Sequence, residues 1–242
     1  MTMQNLAERG LPSSMPEHDE SSELQEAQEA ARYALLQRLA PALQHQLMGK
    51  FQSMGMIAAM MDRRFQSDHP DFGSIREDCK SLSSVSRATV DFIVNLMSWI
   101  EPKATDTLKL DAGVAECVGL LATKLRFKGF SLVNEVSGTE VELSARALRS
   151  VLSAALIALA DLPRLPATFV LRAVPLGDAV ELSIEIRPTE KASKPAYASD
   201  YRALRQRDVE ILARAESVQL AFGTGSVKMV FPCVASSVQL TA

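Results

Sequence analysis

Cysteine, aromatic residues and net charge are all scarce in this chain, and each shortage closes off a class of protein. The three cysteines, Cys79, Cys117 and Cys233, lie far apart and form no C-x-x-C pair. They suit reduced thiols buried as small apolar residues in a cytoplasmic protein, not a disulfide framework. Aromatic side chains make up 5% of the chain, too few for base-stacking surfaces, and a net charge of −3 gives no electrostatic reason to expect nucleic acid as a partner. No apolar run reaches the roughly 20 residues that a membrane-spanning helix needs, so no membrane partner is expected. No His/Cys/Asp spacing makes a metal site, and no metal or other cofactor is expected. Residues 1–21 are polar, carry Gly10, Pro12 and Pro16, and lack the apolar core of a signal peptide; they read as a disordered tail.

What remains is a chain of 242 residues with ordinary globular composition, 47% hydrophobic and 23% charged, long enough for one large or two ordinary domains. Residues 22–102 read as a helical hairpin. Ser21 or Ser22 can cap the first helix, and Glu23 and Glu26 suit its N-terminus. Leu36, Leu39, Leu43, Leu47, Phe51, Met54, Ala58, Met61 and Phe65 recur at spacings of three and four, a seam of bundle type. Pro41 lies inside it and predicts a kink or short break. A second helix runs from about Ser74 to Ile100, with Ile75, Cys79, Leu82, Val85, Thr89, Phe92, Leu96 and Trp99 on one side, and Pro102 stops it. A hairpin alone cannot bury both seams, whereas two copies can close a four-helix bundle; a homodimer is expected.

Residues 103–242 change character. "DTLKL", "FSLVNEV", "VELS", "ATFVLRAV", "AVELSIEIR", "SVQLAF" and "SVKMVFP" read as strands, while 112–125, "ARALRSVLSAALIALADL" and "ASDYRALRQRDVEILARA" read as helices. "RPTEKASKPAYAS" reads as a mobile loop. The fold class is therefore α+β: a helical hairpin followed by an α/β sandwich, with helices over a mostly antiparallel sheet.

A histidine-bearing hairpin followed by this layout resembles the core of bacterial sensor histidine kinases: a dimerisation and histidine-phosphotransfer domain, then a Bergerat-type ATP-binding domain, over roughly residues 22–235. "LSARALRSVLSAALIAL" is similar to the helix that carries the kinase asparagine motif, and "GTGSVKMVFP" to the closing hairpin. The resemblance also marks what is missing. Ala154 and Ala158 stand where asparagines would hold Mg²⁺, and an alanine offers no oxygen to a hard cation. The strand "AVELSIEIR" runs into a segment with no glycine, where such kinases carry D-x-G-x-G. Gly223 and Gly225 suit a hairpin turn, not a phosphate loop. The expectation is a nucleotide-binding fold without its nucleotide, and not an active ATP-dependent kinase.

His45 decides the function. At 100° per residue it points about 200° from Leu43, away from the seam. Pro41, Gly49 and Gln52 share its face, and short neighbours leave room for another protein to approach in line. A neutral imidazole is a competent nucleophile. Lys50 is placed to offset phosphate charge, and Met56, at plus eleven, to serve as an adaptable docking contact. In the kinases an acid follows the histidine; here it is Gln46. "HQLMG" is similar instead to the H-x-L-K-G acceptor helix of histidine phosphotransfer proteins, with Met48 in place of the lysine. The resemblance implies a dimeric histidine phosphotransferase that exchanges a phosphoryl group between His45 and receiver-domain aspartates without ATP. Two other readings stand beside it. His45 can be an ordinary solvated side chain, and the chain can be a silent dimeric adaptor for a kinase or response regulator. His18 and His69 read as solvated, the Met48–Met61 stretch as mainly core filling, and Arg63–Arg64 as a solvated helix end.

Overall fold

The structure is a computed structural model that describes residues 20–137, 140–162, 166–189 and 201–234. Residues 1–19 of the tail and most of the "RPTEKASKPAYAS" segment lie outside the described residues. The elements run α1 (Glu20–Phe65), α2 (Phe72–Ile100), β1 (Thr107–Lys109), α3 (Leu110–Phe127), β2 (Ser131–Asn134), β3 (Glu142–Ser144), α4 (Ala145–Asp161), β4 (Ala167–Leu176), β5 (Ala179–Pro188), α5 (Gln206–Ala215), β6 (Gln219–Phe222) and β7 (Ser226–Pro232). The α+β class is as expected: a helical hairpin, then an α/β sandwich.

α1 is one helix of 46 residues that continues through Pro41, so the expected break is absent. The turn into α2 is fixed by Asp71, whose carboxylate accepts from the Gly73 and Ser74 amides at 2.9 and 3.2 Å, a standard N-cap. Arg64 closes the hairpin mouth on Asp78 at 2.6 Å, so it is not the solvated end expected. The seam of α1 is also shifted. The residues turned inward are Leu43, Leu47, Lys50, Met54, Ile57, Met61 and Arg64, whereas Phe51, Ala58 and Phe65 are exposed. Spacings of three and four hold for both stripes, and only one can face α2. On α2 the inward line is Ile75, Asp78, Leu82, Val85, Thr89, Phe92, Leu96 and Trp99; Cys79 is exposed and Asp78 takes its place. Only Cys117 of the three cysteines is buried, and Met48, Met56 and Met60 are exposed, not core filling.

The main sheet has five strands in the order β2-β4-β5-β7-β6, antiparallel except for the β2–β4 pair, and β1 and β3 form a separate antiparallel pair. Alternation with period two sends Phe169, Leu171, Val180, Leu182, Ile184, Val227, Met229 and Phe231 to the buried face. The other face carries a ladder of Arg172 with Glu135 and Glu185, and of Lys228 with Glu181. The turn after β6 closes with the Gly223 amide donating to the Ser226 carbonyl at 2.8 Å, the tight turn expected of Gly223-Thr224-Gly225. α4, capped by Ser144, is buried along almost its whole length and packs against α1, α3, α5 and β7; its apolar residues meet these neighbours, while Arg146 and Arg149 on its polar stripe are held in ion pairs. α5 begins only at Gln206, later than its periodicity suggests, because Asp208 caps it by accepting from the Arg205 amide at 2.8 Å.

Candidate functional site

α1 reaches past its pairing with α2 and lies on the α/β sandwich, and charged side chains fix it there. Arg38, 2% exposed, donates to Asp161 at the end of α4 at 2.6 Å and to the Arg202 carbonyl at 3.1 Å. Asp161 also receives Lys128 at 2.5 Å and the Leu204 amide at 3.0 Å. One turn and a half earlier, Arg32 meets Glu216 at 2.7 Å, and Arg146 of α4 meets the same carboxylate at 2.8 Å. The end of α2 is tied in by Arg149, which reaches Ser98, Asn95 and Glu116 while the Trp99 indole donates to Glu116. Paired buried charges with several hydrogen bonds hold one arrangement, because truncating either partner leaves an uncompensated charge.

His45 stands on the exposed side of α1, immediately beyond this clamp. It lines one concavity, and a second lies further along α1. One is a cleft of about 310 Å³ between α1 and α3, to which Pro41, His45 and Gln46 contribute from α1 and Leu120, Thr123 and Phe127 from α3. The other is a shallow groove between α1 and α2, lined by Gln46, Gly49, Lys50 and Ser53 with Val85 and Ala88. Gln46 borders both, and its amide Nε2 donates to the Gly119 carbonyl at 3.3 Å. Lys124 lies in the first cleft and donates to the Arg38 carbonyl. Burial, reinforced by the neighbouring Arg38 and Lys128 charges, lowers its pKa from 10.5 to about 8.

Of the residues singled out in the sequence, Pro41 lies beside His45 in the cleft, and Gly49 lies in the groove with open space where a Cβ would be. Gln52 and Met56 are exposed further along α1. Lys50 is turned into the hairpin, its ammonium 5.4 Å from the centre of the Phe92 ring, a cation–π contact that directs it away from His45. Ala154 and Ala158 are buried at 0% and 3% exposure inside the packed α4 surface. The α3 contributors, Gly119, Thr123, Lys124 and Phe127, escaped the sequence reading. Their one signal was Phe127, a large apolar side chain ending a helix among charges. Among the described residues no group of three or more His, Cys, Asp or Glu side chains could hold a metal ion, and no helix is long and apolar enough to cross a membrane.

No family model and no curated protein matches the chain. Solved structures similar to it are histidine kinases. The histidine kinase AdeS of Acinetobacter baumannii is 15% identical at a TM-score of 0.43, over 79% of this chain and 98% of that one. The blue-light activated histidine kinase EL346 of Erythrobacter litoralis is 13% identical at 0.41, over 82% of this chain and 63% of that one. The catalytic domain of the histidine kinase ThkA is 11% identical at 0.37, over 53% of this chain and 94% of that one.

Proposed function

We propose that this chain is a histidine phosphotransfer protein of a two-component relay, which takes a phosphoryl group from one receiver-domain aspartate onto His45 and passes it to another without ATP. The observation that carries this reading is the placement of His45: exposed on α1, lining a cleft toward α3, with Pro41 and Gly49 one turn to either side. An acyl phosphate can be brought in line with a ring nitrogen there. The imidazole lone pair attacks phosphorus, the N–P bond forms as the aspartyl P–O bond breaks, and the aspartate leaves as a carboxylate. The return step reverses this, with the second aspartate as nucleophile.

Two further features favour transfer over autophosphorylation. Gln46, at the position of the kinase acid, holds no titratable proton and spends its amide on Gly119. Ala154 and Ala158 offer no oxygen to Mg²⁺ and face packed side chains. The test is to incubate the protein with purified receiver domains carrying a ³²P-labelled aspartyl phosphate. Wild type should acquire acid-labile, base-stable label and His45→Ala none. If neither acquires label from any receiver that binds, the chain is instead an adaptor without chemistry.

A further inference from the structure

A reactive histidine on a smooth helix offers an incoming protein little to hold. His45 is not in that position, because the cleft beside it has one wall on the hairpin and one on the α/β sandwich. The walls are kept at fixed spacing by the Gln46 bond to the Gly119 carbonyl, by the Lys124 bond to the Arg38 carbonyl, and by the Arg38–Asp161 pair behind them. The inside is apolar, with Ala42, Leu120 and the ring of Phe127, which is 61% exposed at the lip. Its ionisable lining residues are His45 and Lys124, and no carboxylate lines it. At Gly119 the wall is bare: a Cβ there would meet nothing within 4 Å.

The geometry points to this cleft as the anchoring site for the receiver domain that exchanges phosphate with His45, its occupant an apolar side chain of that domain flanked by a carboxylate that pairs with Lys124. The inference rests on the phosphotransfer reading and adds to it the second contact and its chemistry. Charge complementarity selects this occupant. A receiver domain brings a negatively charged aspartyl phosphate to His45, and the cleft meets it with the Lys124 cation and no carboxylate in its lining. Apolar anchors seated in a preformed, largely desolvated pocket carry most of the binding energy of an interface, while the surrounding contacts exclude water. A cleft contiguous with the reacting group therefore sets both affinity and the approach angle.

Gly119 makes the test clean, because any side chain there improves helix propensity while a large one fills the cleft. Gly119→Trp and Gly119→Ala are compared with wild type in melting temperature, in binding of each purified receiver domain by fluorescence anisotropy, and in labelling by ³²P-phosphorylated receiver. Gly119→Trp should melt no lower than wild type, yet bind and accept label about tenfold or more weakly, with the smaller Gly119→Ala between the two. If Gly119→Trp binds and labels as wild type does, the cleft inference is overturned and the phosphotransfer reading stands. If wild type binds a receiver without taking label and Gly119→Trp does not bind, phosphotransfer fails and the cleft assignment stands. If no receiver binds or labels wild type, both are overturned.

Discussion

Lys124 shows how much of this molecule is decided by single charges placed far apart in sequence. Its ammonium is held against the Arg38 carbonyl, near Arg38 and Lys128 and within reach of Asp161. The folded protein therefore holds that proton less tightly, at about pH 8, than an unfolded chain with the ordinary value of 10.5. Between those two values the unfolded state binds more protons, so stability rises as pH increases from about 8. Cys117 acts in the opposite sense. Full burial raises its thiol from 9.0 to about 12, so from pH 9 upward the unfolded state is favoured by thiolate formation. We expect the urea midpoint to climb from about pH 8 to 9, to level off between 9 and about 10.5 where the two effects oppose, and to fall above that. Lys124→Met should abolish the climb and keep the fall; a wild-type midpoint that is flat from pH 7 to 9 would contradict the assignment. None of this was legible in the sequence. Arg38, Lys124 and Asp161 look like ordinary solvated charges until chain segments 86 and 123 residues apart meet.

At the scale of elements, α4 is the helix that the kinase resemblance pairs with the asparagine motif. Its run of alanine and leucine fits burial, but the polar stripe of Arg146, Arg149 and Ser153 hid that burial reaches around the helix. Ala154 and Ala158, the positions that the resemblance assigns to asparagines, lie against packed side chains, so an asparagine there would have no open space to serve. Ala158→Asn should destabilise the protein by about 2–4 kcal/mol through overpacking and an unpaired buried amide, without creating a response to Mg-ATP. A melting temperature that Mg-ATP raises in the variant would show instead that space for a nucleotide exists. Other elements were misread for identifiable reasons. The start of α5 follows an apolar period through Tyr201 and Leu204. Tyr201, however, lies edge-on to Tyr33, the Leu204 amide donates to Asp161, and the helix starts only at the cap formed with Asp208. In α1 the seam held at Leu36, Leu39, Leu43, Leu47, Met54 and Met61, but Phe51, Ala58 and Phe65 were each placed one position off. Stripes such as Leu47-Lys50-Met54-Ile57 and Leu47-Phe51-Met54-Ala58 share the same spacings, and a lysine or arginine with its stem in a seam is invisible to a hydrophobic count.

At the scale of the whole molecule, that second stripe is the unresolved surface. After α1 and α2 have paired, α1 still exposes Met48, Phe51 and Phe65, and α2 exposes Phe72, Val90, Ile93, Met97 and Ile100. On each helix these recur at heptad spacing beside the seam already used, so within the hairpin each helix has two apolar edges and one helix partner. An exposed apolar run of this size marks an interaction surface. Because both helices of the hairpin present it, we propose that a second copy related by a two-fold axis would cover it and close a four-helix bundle. The cleft beside His45 faces α3, on the side of α1 toward the sandwich, so it stays open in such an assembly. The wild-type protein should therefore be a dimer by light scattering at micromolar concentration. A double change, Val90→Glu with Met97→Glu, puts two carboxylates into each half of the apolar contact at positions that make no contribution to the intramolecular seam. It should yield a monomer with unchanged far-ultraviolet circular dichroism, since the α/β sandwich and the Arg38 clamp do not depend on that face. Wild type that scatters as a monomer would leave the exposed stripe to a different partner, and a double variant that remains a dimer would place the second copy elsewhere.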